Sequence, residues 1–226
     1  MNKIHKNRGK HKNLENQENP EKNKNHEKPE KQGNRENPEK HENREIIIAI
    51  TGASGVYYGI RLLEILNATD IKIHLVLTNA AKTVIPIETE VSIEYIESLA
   101  DFVYDEKDFT AKIASGSYKT CGIVIAPCTM KTLGLIASGI SDDLVSRAAD
   151  VCLKEKRKVI LMVRETPINE IHIENMLRAS RAGAIILPAS PGFYNKPKSI
   201  DDLYNFMAGR VLDLMGIENE SYERWK

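Results

Sequence analysis

Short apolar runs alternate with amphipathic stretches over most of the chain, beginning at residue 45. The apolar runs are rich in β-branched residues and predict strands at residues 45–50, 71–77, 122–126, 158–163 and 184–187. The stretches between them carry apolar residues at helical spacing and predict helices at residues 56–67, 130–138, 144–156, 171–182 and 200–215. A helix-like region also follows the strand at 71–77, and residues 91–99 are its strongest part. The pattern therefore predicts a regular alternation of strand and helix.

Continuous apolar strands separated by helices are typical of a parallel sheet that is covered on both faces. A half-exposed antiparallel sheet would alternate apolar and polar residues instead. With right-handed crossovers, the chain is expected to form a doubly wound α/β fold in three layers. Ligands of such sheets bind at the carboxyl ends of the strands, and the glycine-bearing polar segments of this chain all follow strand ends.

Residues 1–44 differ from the rest of the chain. They consist mainly of Glu, Lys, Asn, His and Pro, and we expect a disordered charged tail ahead of one domain at residues 45–226. The whole chain balances 32 basic against 32 acidic residues, which argues against a nucleic-acid binder. A tether for nucleic acid or a partner is the alternative for the tail, but its mixed charge favours a solvated extension.

The sequence shows neither a metal-binding motif nor a membrane-spanning segment. The three cysteines form no CxxC pair, and His74 and His172 are the only histidines after residue 45, so we expect no metal site. No apolar run approaches the roughly 20 residues that span a bilayer, and the start of the chain has no apolar signal stretch. These features predict a cytoplasmic protein that does not bind membranes.

The first glycine turn, Gly52-Ala53-Ser54-Gly55, joins a predicted strand to a predicted helix. The first amides of a helix lack intrahelical partners, so the turn offers backbone donors to an anion or a polar ring. Its spacing is not the GxGxxG fingerprint of dinucleotide binding. On spacing alone, a plain tight turn and a ligand site remain equal alternatives.

A second strand-to-helix junction lies at residues 126–132. It supplies two threonine hydroxyls and helix-start amides, which would suit a phosphate. The alternative, equally favoured, is an N-cap in which Thr129 or Cys128 bonds its own helix. Cys128 is better interpreted as a small packed residue than as a nucleophile, because no histidine lies nearby in sequence.

Four charged residues surround one predicted helix and the strand that follows it. Arg164 and Glu165 end the strand, where ligand groups are expected, so we favour a functional pair over a solvated one. Arg147 and Lys154 are seven residues apart and share one side of the helix. Both are expected to point at a strand end, where they would suit a phosphate-bearing substrate.

The loop at residues 188–197 is rigid and aromatic, and is either a lid or a connector. Arg210 lies in the last predicted helix. Trp225 is one residue from the C-terminus, and packing or a subunit contact is its ordinary role.

Six segments in this order resemble the motif series of the UbiX-type flavin prenyltransferases, over residues 45–225. They are Thr51-Gly52-Ala53-Ser54-Gly55, Cys128-Thr129-Met130-Lys131-Thr132, residues 147–155, Arg164-Glu165-Thr166-Pro167, His172-x-x-Asn175-Met176 and Pro191-Gly192-Phe193-Tyr194. The resemblance implies a Rossmann-like or flavodoxin-like domain in a homo-oligomer, commonly a dodecamer, with sites shared between subunits. It also implies transfer of a dimethylallyl group from dimethylallyl phosphate to N5 and C6 of reduced FMN, without metal, for a UbiD-type decarboxylase.

The resemblance also assigns roles to residues. Those implied for flavin binding are Gly52, Ala53, Ser54 near N5, Thr78, Thr129, Met130, Lys131, Thr132 and Arg164. Those implied for dimethylallyl phosphate are Ser115, Arg147, Lys154, Glu165, Tyr194, Arg210 and Trp225. Ser54, Lys154 and Glu165 are the implied catalytic residues together with Glu88, which matches a carboxylate that helps to remove the C6 proton. Glu165 would face the phosphate and act as the general acid.

One position departs from the family pattern. The aromatic wall for the allylic cation would be Phe109, which we interpret first as packing, because phenylalanine is a weaker cation–π partner than tryptophan. Two other functions stay open: an FMN-dependent decarboxylase subunit for phenolic or aromatic acids, and a flavin carrier without catalysis.

Overall fold

The computed structural model describes residues 44–225, so the predicted tail lies outside the described residues except for Arg44. The strands are Glu45–Ile50 (β1), Lys72–Leu77 (β2), Phe102–Tyr104 (β3), Gly122–Cys128 (β4), Lys158–Val163 (β5) and Ile185–Ile186 (β6). The helices are Tyr57–Asn67 (α1), Asn79–Glu88 (α2), Ile93–Ser98 (α3), Met130–Ala137 (α4), Leu144–Lys154 (α5), Glu170–Ala182 (α6) and Ile200–Met215 (α7). A short 3-10 turn covers Lys112–Ala114.

All six strands are parallel, in the order β3-β2-β1-β4-β5-β6. This is the strand order of the Rossmann fold, and it reverses between β1 and β4. The predicted doubly wound sheet is therefore confirmed. Ligands of such sheets bind outside the carboxyl ends of the strands at the reversal, which here means the loops after β1 and β4.

Two apolar layers cover the sheet. Alternate residues of the strands pack with α1, α2, α3 and α7 on one face, and with α4, α5 and α6 on the other. The central strand β1 is buried from Ile46 to Ile50, which explains its uninterrupted run of apolar residues. This arrangement confirms the predicted three layers.

Sequence periodicity missed β3 and did not delimit α2 within the predicted helix-like region. The strand β3 has three residues, none fully buried, so it lacks a continuous apolar signal. The helix α2 has only Ala81 and Ile85 buried, with Pro86 in its last turn, so its apolar stripe is narrow. Thr78 begins α2 by accepting a hydrogen bond from the Ala81 amide at 3.1 Å. Among residues 44–225, no helix has the length and apolar content needed to cross a bilayer.

The strand β2 carries a buried histidine, His74. His74 is fully buried, and its Nε2 lies 2.7 Å from Glu45 while its Nδ1 lies 2.9 Å from the Tyr104 hydroxyl. Burial lowers the pKa of His74, although its hydrogen bond to Glu45 acts in the opposite direction. For Glu45, burial raises the pKa, but hydrogen bonds from Tyr118 and His74 outweigh it and the net pKa is lowered.

Both shifts predict that acid destabilises the fold. A group whose pKa is lower in the folded state binds more protons when unfolded, so stability is lost as pH falls from about 6.5 through the folded-state pKa of His74. One such proton contributes at most about 1.4 kcal/mol per pH unit. We expect the thermal midpoint of a His74→Gln protein to fall less between pH 7 and pH 5.5 than that of the unsubstituted protein. An equal fall in the two proteins would exclude His74 as the titrating group.

Candidate active site

The loops after β1 and β4 are joined by Thr51. Its hydroxyl donates to the Pro127 carbonyl at 2.7 Å and accepts from the Thr129 amide at 2.9 Å. Thr51 is completely buried, so these bonds fix the two loops side by side at the reversal of strand order. The two strand-end segments therefore converge at one place on the edge of the sheet.

The glycine turn presents backbone donors. Within the described residues, the amides of Gly52, Ala53 and Ser54 donate to no other group. A side chain at position 52 has no room, because an added Cβ would lie 2.5 Å from the Ala80 Cβ and 3.0 Å from the Ala80 carbonyl carbon. The turn is thus open on its ligand side and tightly packed against α2 behind.

The amides at the start of α1 are already bound by a carboxylate of the protein itself, that of Glu88. The expectation that these amides are free for a ligand is therefore wrong. The Glu88 carboxylate accepts from the Gly55 amide at 2.7 Å and from the Val56 amide at 3.2 Å. The Ser54 side chain also hydrogen-bonds this carboxylate. Glu88 therefore caps α1 from 33 residues away, a contact that no local motif indicates.

The same contacts hold Glu88 ionised. Burial raises its pKa, but the bonds from Ser54, Gly55 and Val56 and the charge of Arg164 outweigh burial, and the net pKa is lowered. A carboxylate fixed beside the glycine turn would repel a phosphate there. It would accept a proton from a neutral ring instead.

The start of α4 is the better phosphate position. Thr129 is the N-cap residue, and its hydroxyl accepts from the Thr132 amide at 3.1 Å and lies 2.9 Å from the Thr132 hydroxyl. The N-cap alternative is thus confirmed for Thr129. The amides of Met130 and Lys131 donate to no other group in the described part of the chain, and the Lys131 side chain is exposed. These free amides and the helix dipole point to an anion.

Cys128 is packed, as expected. It is fully buried, and burial raises the pKa of its thiol to about 12, so it holds its proton at neutral pH.

Arg164 and Glu165 follow β5 and line a cleft of about 710 Å³, which Met130 and Ser190 also line. Glu165 is exposed and accepts from the Thr166 amide at 2.9 Å. The predicted position of this charged pair at the carboxyl end of a buried strand is confirmed.

Ser115, Arg147 and Lys154 form a separate group, which we name the α5 group. Arg147 Nε donates to the Ala114 carbonyl at 3.1 Å, and a Cβ added to Gly116 would lie 2.5 Å from Lys154 Nζ. Arg147 and Lys154 therefore both meet the loop that carries Ser115, which confirms their shared helix side. Sequence reasoning missed Arg157, which fixes this loop by donating to the Gly116 and Tyr118 carbonyls at 2.6 and 2.7 Å.

The expectation that Lys154 points at the same strand end as Arg164 is wrong for a single chain. Lys154 ends α5 just before β5 begins at Lys158, so it lies at the amino end of that strand. Gly52 follows the carboxyl end of β1. A six-residue strand such as β5 spans about 20 Å. Within one chain, Lys154 and the glycine turn therefore lie on opposite edges of the sheet.

Tyr194 and Trp225 meet at a third place, the C-terminal cleft, and Arg210 lies near it, where it hydrogen-bonds Tyr222. Tyr194 and Trp225 line a cavity of about 380 Å³, and their rings meet edge to face with centroids 5.2 Å apart. The loop that contributes Ser190 to the Arg164 cleft contributes Tyr194 here. Four extended residues span at most about 14 Å, so the two clefts are neighbours. Arg224 also lines the C-terminal cleft and was missed by sequence reasoning.

Phe109 is 46% exposed and lies in the turn before the Ser115 loop, so its interpretation as packing is wrong for a single chain. Over residues 44–225, no three His, Cys, Asp or Glu side chains are placed to hold a metal ion.

Comparison with known proteins agrees with the fold and the motif series. The flavoprotein family model matches residues 34–212. The flavin prenyltransferase UbiX of Methanothermobacter thermautotrophicus is 53% identical over 180 residues, which cover 80% of this chain and 94% of the relative.

Two solved structures are also similar. A crystal structure of AnUbiX (PadA1) in complex with FMN and dimethylallyl pyrophosphate has a TM-score of 0.80 and 44% identity, covering 81% of this chain and 98% of its own. The dodecameric FMN-dependent UbiX-like decarboxylase from Escherichia coli O157:H7 has a TM-score of 0.79 and 44% identity, covering 80% and 99%. The chain belongs to the flavoprotein family and, within it, to the UbiX-type flavin prenyltransferases.

Proposed function

We propose that this protein transfers a dimethylallyl group from dimethylallyl phosphate to N5 and C6 of reduced FMN, closing a fourth ring. The observation that carries the proposal is the pairing of an open glycine turn with the ionised Glu88 at the reversal of strand order. A relative named flavin prenyltransferase and a similar structure that holds FMN with dimethylallyl pyrophosphate support it. The product would serve a UbiD-type decarboxylase.

The flavin fits with its ring at the glycine turn and its phosphate at the start of α4. The open amides of Gly52 to Ser54 would bind ring oxygen and nitrogen atoms, and Glu88 keeps the phosphate away from α1. Thr129 and Thr132 would contribute hydroxyls, Met130 and Lys131 amides, and Arg164 a positive charge near the ring. Thr78 supports the site by starting α2, which packs behind Gly52.

A Gly52→Ala protein is expected to bind FMN roughly tenfold or more weakly, because the added methyl group must displace the backbone of Ala80. Titration of FMN against each purified protein measures this. Gly134→Ala is the matched control, because its added Cβ would meet Asn175 at an ordinary 3.5 Å. Equal FMN affinities of the Gly52 variant and the control would contradict the placement of the ring.

Dimethylallyl phosphate requires cations and a proton donor. The bond from the allylic carbon to oxygen breaks with its electron pair passing to the phosphate, which gains charge. The positive charges of Lys154, Arg147 and Arg210 would therefore stabilise the transition state more strongly than the bound donor. Ser115 and Tyr194 would donate hydrogen bonds to the phosphate oxygens, and Trp225 would cover the cleft.

Proton transfers fall to two carboxyl groups. Glu165 would protonate the departing phosphate, because it lies exposed in the cleft beside Arg164. Glu88 would accept the proton released from C6 as the ring closes, directly or through the Ser54 hydroxyl that bonds it. N5 of the reduced flavin would bond to the allylic carbon as its bond to oxygen breaks, and N5 would release its proton. A proton would then add to the central carbon of the prenyl double bond, and C6 would bond to the carbon that carries the two methyl groups.

The complete site requires more than one protomer. Lys154 lies across the sheet from the glycine turn of its own chain, so the α5 group must meet the flavin of a neighbouring copy. The similar E. coli protein is described as dodecameric, and we propose a homo-oligomer, a dodecamer by analogy, for this chain. We also propose a cytoplasmic location, because the three cysteines are free and free thiols are typical of reducing compartments.

The direct test is anaerobic incubation of the protein with reduced FMN and dimethylallyl phosphate, followed by mass measurement of the extracted flavin. The flavin is expected to gain one five-carbon prenyl unit, and dimethylallyl pyrophosphate in a parallel reaction identifies the preferred donor. A flavin of unchanged mass with both donors would contradict the proposal and leave a flavin carrier as the remaining function.

Decarboxylation is the second candidate, because the E. coli protein of 44% identity is described as an FMN-dependent decarboxylase. A redox decarboxylase has no use for a second phosphate site. Decarboxylation of a phenolic acid that persists in the Lys154→Ala and Arg210→Ala proteins, without prenylated flavin, would favour this candidate.

A further inference from the structure

The segment after α7, residues 217–225, folds back along that helix, and we name it the C-terminal strap. It is held by one carboxylate, Asp213. Asp213 accepts from the Tyr222 hydroxyl at 2.6 Å and from the Asn219 amide nitrogen at 3.0 Å. The Arg224 guanidinium makes a two-pronged contact with the same carboxylate, at 2.7 and 3.1 Å. Three strap residues thus converge on a single side chain of α7.

The surface of α7 is shaped for this strap. Phe206, Gly209 and Asp213 are spaced to lie along one side of the helix. The Tyr222 ring rests on Gly209, where an added Cβ would lie only 2.4 Å from it, and it meets the Phe206 ring edge-on at 4.9 Å. Tyr222 can occupy this position because residue 209 is a glycine, which has no side chain.

Asp213 also orients Arg210. Arg210 Nη1 donates to Asp213 at 3.3 Å and to the Tyr222 hydroxyl at 3.4 Å. In the described part of the chain, its other nitrogens donate to no group, so they stay available. Arg210, Arg224 and Lys196 carry three positive charges against the two negative charges of Asp213 and Glu223, which leaves an excess that suits a phosphate.

Ionised Asp213 is needed for this arrangement. Burial raises its pKa, but hydrogen bonds from Arg224, Tyr222 and Asn219 outweigh burial and lower it overall. The carboxylate therefore stays charged at neutral pH.

We infer that Asp213 is a positioning residue that sets Arg210 beside the C-terminal cleft and, through the strap, Trp225 within it, for the phosphate of the allylic donor. The inference rests on the proposed function for the identity of that donor. Asp213 and Arg210 do not line the cleft themselves, while Arg224, Trp225 and Tyr194 do. Its effect therefore passes through the groups that it holds.

The test uses the full-length oligomer with two independent variants and one control. Asp213→Asn removes the charge that holds both arginines, and Gly209→Ala displaces Tyr222 while Asp213 stays intact. Alanine also favours the helix, so Gly209→Ala should not lower the thermal midpoint through α7 itself. Asp201→Asn is the control, because Asp201 lies on α7 but pairs with Arg61 instead of the strap.

Two readouts separate positioning from general damage. Trp225 is the only tryptophan of the chain, so the anisotropy of tryptophan fluorescence reports on the strap alone. Both variants are expected to show lower anisotropy and a KM for dimethylallyl phosphate roughly ten- to a hundredfold higher. The dissociation constant of FMN should stay unchanged, and the control should match the unsubstituted protein.

Unchanged anisotropy, or an unchanged KM for dimethylallyl phosphate in both variants, would overturn the inference. So would an equal loss of FMN and donor binding. The proposed function fails differently, because the unsubstituted protein would then form no prenylated flavin while the anisotropy of the variants could still change.

Discussion

Replacing Lys154 with alanine is expected to slow prenyl transfer by roughly 10²–10³-fold while FMN binds as before. The reason is the proposed division of roles: the glycine turn, the start of α4 and Arg164 would bind the flavin, whereas Lys154, from a neighbouring copy, would meet the donor phosphate. Its charge would act only on the departing phosphate of the donor. The measurement is single-turnover formation of prenylated flavin, together with an FMN titration.

Lys119→Ala is a matched control for this change, because Lys119 is also exposed and follows the Ser115 loop. The control should retain the unsubstituted rate. Loss of FMN binding in the Lys154 variant would contradict a role at the phosphate and indicate a structural one.

Replacing Glu165 with glutamine is expected to slow turnover by roughly 10²–10⁴-fold, the range of a lost general acid. Glutamine keeps the shape of the side chain and can still accept from the Thr166 amide, so the loop after β5 should stay in place. The variant should therefore bind FMN and the donor with unchanged affinity. The rate of prenyl transfer is measured by quenching the reaction at set times and determining the mass of the extracted flavin.

The control for Glu165 is Glu170→Gln, an exposed glutamate in the first turn of α6. It should be as active as the unsubstituted protein. A Glu165→Gln protein that turns over normally would remove Glu165 from the proton transfer, and one that no longer binds flavin would assign it to binding.

The apolar pattern predicted the architecture because each central strand is buried on both faces. β1, β2, β4 and β5 read as continuous apolar runs, and their positions agree with the prediction to within two residues. The signal failed for β3, whose residues are partly exposed at the sheet edge, and for α2, which buries only two side chains. Neither element carries enough apolar residues for its period to be visible.

A site residue was predictable only where the element that it follows along the chain already fixes its position. Arg164 and Glu165 follow a strand, so the sheet rule alone places them. The Glu88 cap of α1 was invisible, because it joins residues 33 apart through a tertiary contact. The position of Lys154 follows from topology: a helix that precedes a parallel strand ends at the amino edge of the sheet. Sequence spacing alone does not reveal this.

The central claim is that two protomers share one active site, because Lys154 is separated from the glycine turn of its own chain. Complementation between two inactive variants tests this claim most directly. Lys154→Ala and Glu165→Gln chains are co-expressed in equal amounts, and prenyl transfer of the mixed oligomers is compared with that of each variant alone. If one protomer supplies Lys154 and another Glu165, about a quarter of the sites regain both residues, and activity should return to about that fraction of the unsubstituted rate. Mixed oligomers that stay as inactive as the separate variants would show that both residues act within one chain and would contradict the shared site.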